Sequence, residues 1–322
     1  MTLLARPSPW KIGLILAVGV LSVSAAAIFI RLAFQAAGES GVGFSLVLAA
    51  SRLTIASLIL SPTWRNFGRN FKRNSGQNSG QNSVGLQPSR RSYTLSIAAG
   101  VFLAIHFATW ITSLSFTSIA ASATLVTTNP VWVALLSWLW LKEKPSRMTI
   151  AGIVITLLGS GLVALGGDSI TAGSNPLLGN SLALVGSWAV SLYFLLGREA
   201  QRQGLTIGNH LVLTYTTAAL VLLPLPLMFG AGYTGYASAV YGYILLIALF
   251  PQLIGHSSLN WAVRWVSPTL VTLTILAEPV GSSLLGAIVF RENPGWTVIF
   301  GAIVILSGVA IAALGSRSDS LQ

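Results

Sequence analysis

Residues 267–290 form a 24-residue apolar run with one ionisable side chain, Glu278, near its middle and Pro279 directly after it. As a helix rising ~1.5 Å per residue the run reaches ~36 Å, enough to cross a bilayer core of ~30 Å with some tilt. Glu278 then falls near the bilayer centre, where a carboxylate must be paired, hydrated or protonated. Pro279 donates no backbone hydrogen bond and leaves the carbonyl of Ile275 without its helical partner. In lipid such a break is tolerated only where protein or a water-filled cavity satisfies the freed groups, so this stretch is expected to face an interior cavity. The competing reading is a purely structural Glu278, capping or ion-paired inside a bundle.

The rest of the chain follows the same pattern. Of 322 residues 53% are hydrophobic and 8% charged, and the mean hydropathy of +0.76 exceeds what a soluble core requires. Apolar runs fall at about 10–34, 41–62, 93–114, 117–141, 147–167, 176–197, 206–229, 239–262, 267–290 and 295–315, each near the ~20 residues of a helical crossing. The expected fold class is an all-α integral membrane protein with ten transmembrane helices. The run 12–34 outlasts the apolar stretch of a signal peptide and reads as a retained first span.

A net charge of +11 does not point to nucleic acid, because the basic residues are scattered through the short links between apolar runs. With both termini cytoplasmic, 15 of the 18 Lys and Arg residues lie on the inner side, Arg291 lies outside, and Arg31 and Arg52 lie within spans. The positive-inside rule selects that orientation, and the expected location is a prokaryotic plasma (inner) membrane. The connection 63–92 carries a Gly-, Ser-, Asn- and Gln-rich segment at 74–85 and is expected to be a disordered cytoplasmic insertion. The chain has no cysteine, hence no disulfide or thiolate chemistry.

Sliding the chain on itself by 149 residues gives nine identities in the 24 positions 143–166, among them Gly152 on Gly301, Gly159 on Gly308 and Gly166 on Gly315. Such self-similarity marks a duplication. The same shift superposes Asn129-Pro130 on Glu278-Pro279, so each half carries a polar residue followed by proline in the fourth of its five spans. Five is odd, so the second half enters the membrane with opposite orientation. The expected architecture is an inverted 5+5 repeat, with units 11–167 (including the insertion 63–92) and 175–316. Corresponding proline-interrupted helices then mark a midplane site served by alternating access. The glycines spaced by seven are expected to pack helices within the chain in preference to forming a homodimer.

Arg52, the two Pro-containing fourth spans, the segments Leu141-Lys142-Glu143-Lys144-Pro145 and Phe290-Arg291-Glu292-Asn293-Pro294, and the glycine-bearing spans 147–167 and 295–315 together resemble the EamA-type transporters of the drug/metabolite transporter superfamily. The resemblance covers roughly 12–165 and 177–314. It implies a secondary carrier, an exporter of small organic metabolites such as amino acids, working by alternating access. Two departures from the family pattern stand out: Asn129 occupies the place of Glu278 in the first half, and 63–92 is unusually long.

The candidate substrate or ion site comprises Glu278, Arg52, Asn129, His106, His256, Asn260 and Trp110, with Pro130 and Pro279 as hinges. Gln252 belongs to the same set of intramembrane polar residues. Arg52 lies too deep to snorkel and needs a carboxylate, carbonyls or an anionic substrate. His106 and His256 read first as interhelical hydrogen-bonding residues rather than proton relays. Trp132, Trp188, Tyr193 and Trp261 are further cavity or interface aromatics. If Arg52 is far from Glu278, the carboxyl couples transport to protons. If it is near, Glu278 stays ionised and the protein is a facilitative exchanger without ion coupling. A channel or non-transporting scaffold is the remaining class.

The expected partners are the lipid bilayer, a small-molecule substrate and protons, with no nucleic acid, cofactor or metal. Two aspartates, three histidines and no Gly-x-Ser-x-Gly elbow leave no catalytic set, so no enzyme is expected.

Overall fold

A computed structural model of the chain describes residues 7–64, 88–117, 119–166, 175–291 and 295–319. Most of the connection 63–92, together with Asp168, Glu292 and Pro294, lies outside the described residues. Everything regular among those described is helical: α1 (Pro9–Ala37), α2 (Val42–Leu60), α3 (Arg90–Ser113), α4 (Ile119–Val126), α5 (Asn129–Leu136), α6 (Arg147–Gly166), α7 (Pro176–Arg202), α8 (Ile207–Leu222), α9 (Leu225–Met228), α10 (Ser238–Ile247), α11 (Ser257–Ala262), α12 (Pro268–Ile275), α13 (Glu278–Phe290) and α14 (Trp296–Asp319). Two π-helical stretches, Ser137–Leu141 after α5 and Ala248–His256 between α10 and α11, complete the set.

Seven helical segments are long and apolar enough to cross a membrane, and three more apolar segments, Asn129–Leu141, Arg147–Leu162 and Ile299–Gly315, are shorter. Burial is arranged as lipid demands. Leu58, Leu158, Leu220 and Ile288 face outward, whereas Ser24, Ser96, Thr156 and Asn260 are enclosed. A protein whose outer solvent is hydrocarbon gains nothing by hiding leucine and must satisfy its hydroxyls and amides inside.

Helix boundaries obey local chemistry. Ser89, Asn175, Thr206 and Ser267 cap α3, α7, α8 and α12 by accepting backbone N–H bonds from Ser92, Leu178, Asn209 and Leu270. Pro9, Pro176 and Pro268 occupy first-turn positions, where a missing N–H costs nothing. Pro251 instead falls inside a predicted continuous span, 239–262. The segment accommodates it by widening to the π-helical Ala248–His256, because proline offers no N–H to the preceding turn. That change of pitch is not visible in the apolar pattern of 239–262.

The two predicted breaks are sharp. α4 stops at Val126 and α5 restarts at Asn129; α12 stops at Ile275 and α13 restarts at Glu278. The starts of α4 and α12, of α5 and α13, and of α6 and α14 each lie 149 residues apart (268 − 119). Among the described residues only two non-glycines have positive φ, Lys142 at 59° and Arg291 at 56°, again 149 apart, and each ends the helical stretch that begins at a break.

α3 packs on α7 and α8, α1 on α10, α13 and the long π-helical stretch, α2 on α8, α5 on α12, and α6 on α14. The last crossing rests on glycine. A Cβ added at Gly152 would meet Ala312 Cβ at 2.6 Å and the Gly308 carbonyl at 2.7 Å; one at Gly159 would meet Ile305 N at 2.7 Å and the Gly301 carbonyl at 2.9 Å. The seven-spaced glycines therefore hold two helices of the same chain in backbone contact.

Candidate substrate site

Beside the α4–α5 and α12–α13 breaks lies a cavity of about 50 Å³, space for a few water molecules. Six of the seven predicted site residues line it: Arg52 from α2, His106 and Trp110 from α3, Asn129 from α5, His256 from the π-helical stretch and Glu278 from α13. Val23 of α1 and Phe194 of α7 contribute apolar wall. The breaks are the reason the polar groups converge, since each exchanges a continuous helix for a turn whose first helical residue, Asn129 or Glu278, points into the interior.

Arg52 is 1% exposed, and none of its three guanidinium nitrogens has a hydrogen-bond partner among the described residues. Its carbon Cζ lies 3.9 Å from the centre of the Phe107 ring, a cation–π contact that supports the cation without saturating its donors. Glu278 is half-buried on the same cavity and forms no ion pair with Arg52. The Trp110 Nε1–H, the Asn129 Oδ1 and the His256 Nδ1 are likewise buried without partners among the described residues. Native interiors pair almost all such groups, so four cavity residues with buried, unpartnered polar atoms, Arg52, Trp110, Asn129 and His256, mark a place prepared for something else.

Aromatic packing fixes the walls. His106 stacks on Trp110 with centroids 5.9 Å apart and planes 8° from parallel, and Phe107 meets His256 edge-on at 5.3 Å. His106 Nδ1 lies 2.9 Å from the Gly186 carbonyl, which can only accept. The ring therefore donates from Nδ1, and its neutral form offers Nε2 as an acceptor. The first break is stapled to α7 by Thr128 Oγ1 with Ser187 Oγ (3.1 Å) and by Ser191 Oγ donating to the Asn129 carbonyl (3.3 Å). The second is tied to α1 by Ser282 Oγ donating to the Ser24 carbonyl at 2.9 Å. Pro130 and Pro279 both occupy first-turn positions of the helices after the breaks rather than kinking a continuous helix.

Asn260 does not join this cavity. Its amide donates to Tyr193 Oη and, at 2.7 Å, to the His256 carbonyl, while its Oδ1 lies 3.3 Å from His210 Nε2. His210 Nδ1 in turn meets Ser96 Oγ at 2.8 Å. This satisfied network ties α3, α7, α8 and α11 together, which makes Asn260 a packing residue. Tyr193, expected among the cavity aromatics, belongs to the same network. Of the other aromatics, Trp132 donates to Thr128 Oγ1 at 3.3 Å, Trp188 is largely exposed, and Trp261 packs on Trp265.

His210 was missed because it stands close to the start of a predicted span, where a polar residue reads as interfacial. Gln252, fully buried with both amide atoms unpartnered among the described residues, lies on the π-helical stretch that only the structure reveals. No group of three or more His, Cys, Asp or Glu side chains suited to a metal occurs among the described residues.

The model of the EamA-like transporter family matches residues 10–165 and 177–314. YdfC of Bacillus subtilis, described as an uncharacterized transporter, is 26% identical over 201 residues, 61% of this chain and 63% of YdfC. YyaM of the same organism, with the same description, is 24% identical over 70% of this chain and 74% of its own length. The chain thus spans somewhat less than two thirds of YdfC. A solved structure titled only "Crystal structure of protein" superposes with a TM-score of 0.70, covering 97% of this chain and 99% of the other at 18% identity, which establishes a shared fold. On the two family matches, which together take in nearly the whole length, the chain belongs to the EamA-like transporter family.

Proposed function

We propose that the protein is a secondary carrier, an exporter of small organic metabolites of the amino-acid type, which works by alternating access around the cavity beside the two helix breaks. The observation that carries this reading is that Arg52 and Glu278 line one cavity without pairing. A buried cation and a carboxylate left apart suit a solute that brings its own carboxylate to the guanidinium and its own ammonium to Glu278, with Phe107, Trp110 and Phe194 against its apolar part. Charges that are costly to bury become inexpensive once a zwitterion neutralises both.

Alternation needs two half-units able to exchange conformations, and the inverted 5+5 arrangement of ten spans supplies them. It is supported by the recurring helix starts and by the packing pattern. Exchanging α1 with α7, α2 with α8, α3 with α10–α11, α4–α5 with α12–α13, and α6 with α14 maps the contacts onto themselves: α3 meets α7 as α10–α11 meet α1, and α4–α5 meet α7 as α12–α13 meet α1. The two breaks are then the hinges, at Pro130 and Pro279. A cavity with space for only a few waters suits an occluded state, which must widen towards one face to admit solute. The positive-inside distribution supports a plasma (inner) membrane location with both termini cytoplasmic. Glu278, exposed alternately to the two faces, is the group that would couple export to protons.

The test is flux in proteoliposomes. Saturable uptake of a labelled amino acid, accelerated by unlabelled solute on the opposite side, is expected. Non-saturable flux would indicate a channel, and absence of flux for every zwitterion that raises thermal stability would remove the carrier reading.

A further inference from the structure

A second and much larger cavity, of about 1410 Å³, lies beside the first. It is lined by α1, α12–α13 and the α6–α14 pair, and its walls are mostly apolar. One end is defined by helix termini: Ser8 just before α1, Lys144 between α5 and α6, Arg198 near the end of α7 and Arg264 after α11. The other end reaches Leu21, Leu284 and Leu306. From Pro9 to Leu21 is twelve residues (21 − 9) of α1, or ~18 Å along the axis. That is close to the ~15 Å half-thickness of a bilayer core, so the cleft is one leaflet deep.

Two properties choose its occupant. Leu21, Leu284 and Leu306 are 59%, 58% and 53% exposed, and an apolar space of this depth within hydrocarbon fills with acyl chain in preference to water. At the polar end Glu143 engages Arg198 at 2.6 Å and Arg202 at 3.3 Å, whereas Arg264 and Lys144 have no acidic partner among the described residues. Arg264 rests 5.5 Å from the Trp265 ring, an aromatic suited to the headgroup level. Basic residues between transmembrane helices at a membrane face bind anionic lipid headgroups.

We propose that the cleft holds one phospholipid of the leaflet on the face where α1 begins, its acyl chains against Leu21, Leu284 and Leu306 and its anionic headgroup at Arg264 and Lys144. The lipid braces the wall of the substrate cavity, because Val20 lines the cleft and Val23, about one turn on, lines that cavity.

The purified full chain in nanodiscs of phosphatidylcholine, with and without phosphatidylglycerol, tests this independently of transport. Phosphatidylglycerol is expected to raise the unfolding temperature by several degrees and to persist as a one-to-one adduct in native mass spectrometry, while inorganic phosphate and glycerol phosphate leave the temperature unchanged. The pair Arg264→Gln and Lys144→Gln should erase the preference for phosphatidylglycerol, and Leu284→Trp should reduce the adduct. Leu284→Cys, placed in a chain without other cysteines, gives a readout that does not depend on those variants folding; it is expected to resist a membrane-impermeant thiol reagent. Equal stabilisation by both lipids, reproduction of the effect by free phosphate, or rapid modification at position 284 would overturn the proposal, the last by making the cleft an aqueous vestibule.

Discussion

Arg52→Met separates a substrate-binding role from a structural one by the sign of its effect. The substitution keeps an unbranched apolar stem in the same space and deletes a guanidinium that is 1% exposed with no hydrogen-bond partner among the described residues. A buried donor left unpaired costs about 1–3 kcal/mol, and more when charged. Against this stands the contact with Phe107 at 3.9 Å, about 0.5–2 kcal/mol, together with attraction to Glu278 across the cavity. The two nearly cancel with the advantage to methionine, so the empty protein should be at least as stable as wild type, by up to about 1 kcal/mol or a few degrees in Tm. A structural counter-ion would behave oppositely, since removing one member of a buried pair costs about 3–5 kcal/mol. Thermal unfolding in detergent, with and without a stabilising zwitterion, reads both quantities: stability retained and ligand shift abolished. The double variant with Glu278→Gln adds a second constraint. The two charges share a cavity and attract across it, so their effects should couple by about 0.5–3 kcal/mol; a loss of about 3 kcal/mol in the single variant, or strict additivity of the two, would refute the reasoning.

Glu278→Gln preserves shape and hydrogen bonding while removing titration, and it is expected to abolish accumulation driven by a pH gradient yet leave solute exchange measurable; full gradient-driven transport in the variant would eliminate Glu278 as the coupling group. Pro130→Ala and Pro279→Ala restore a backbone donor at the two breaks and should each bias the carrier towards one facing, read as opposite changes in the accessibility of single cysteines introduced on the two sides. Gly152→Val drives a side chain into the Gly308 carbonyl and Ala312 and should cost about 1–3 kcal/mol in an equilibrium unfolding titration. Gly161→Ala, on the same helix but with no atom within 4 Å of the added Cβ, should be neutral or stabilising by up to about 1 kcal/mol; equal effects at the two positions would dissociate the glycine stripe from the α6–α14 crossing.

Much of this protein can be read from local chemistry. Apolar runs of membrane length, the basic residues at their ends and Pro-interrupted segments at matching positions follow from desolvation and from the missing N–H of proline, effects that need no knowledge of neighbours. Hence the helical class, both breaks and six of the cavity residues were legible. Convergence was not. Arg52 and Glu278 are 226 residues apart in sequence (278 − 52), and nothing in either segment states whether they touch, share a cavity or face opposite ways. The widened turn around Pro251, which carries Gln252 and His256 inward, depends on α1 packing across it. Asn260 and His210 are indistinguishable from site residues by type and depth, and only their mutual hydrogen bonds identify them as packing groups. Local sequence thus determined which groups must leave water and where helices must break, because both depend on the residue and its immediate neighbours; tertiary packing alone decided which buried polar groups satisfy one another and which are left unpaired around the cavity, because that depends on distances between helices remote in the chain.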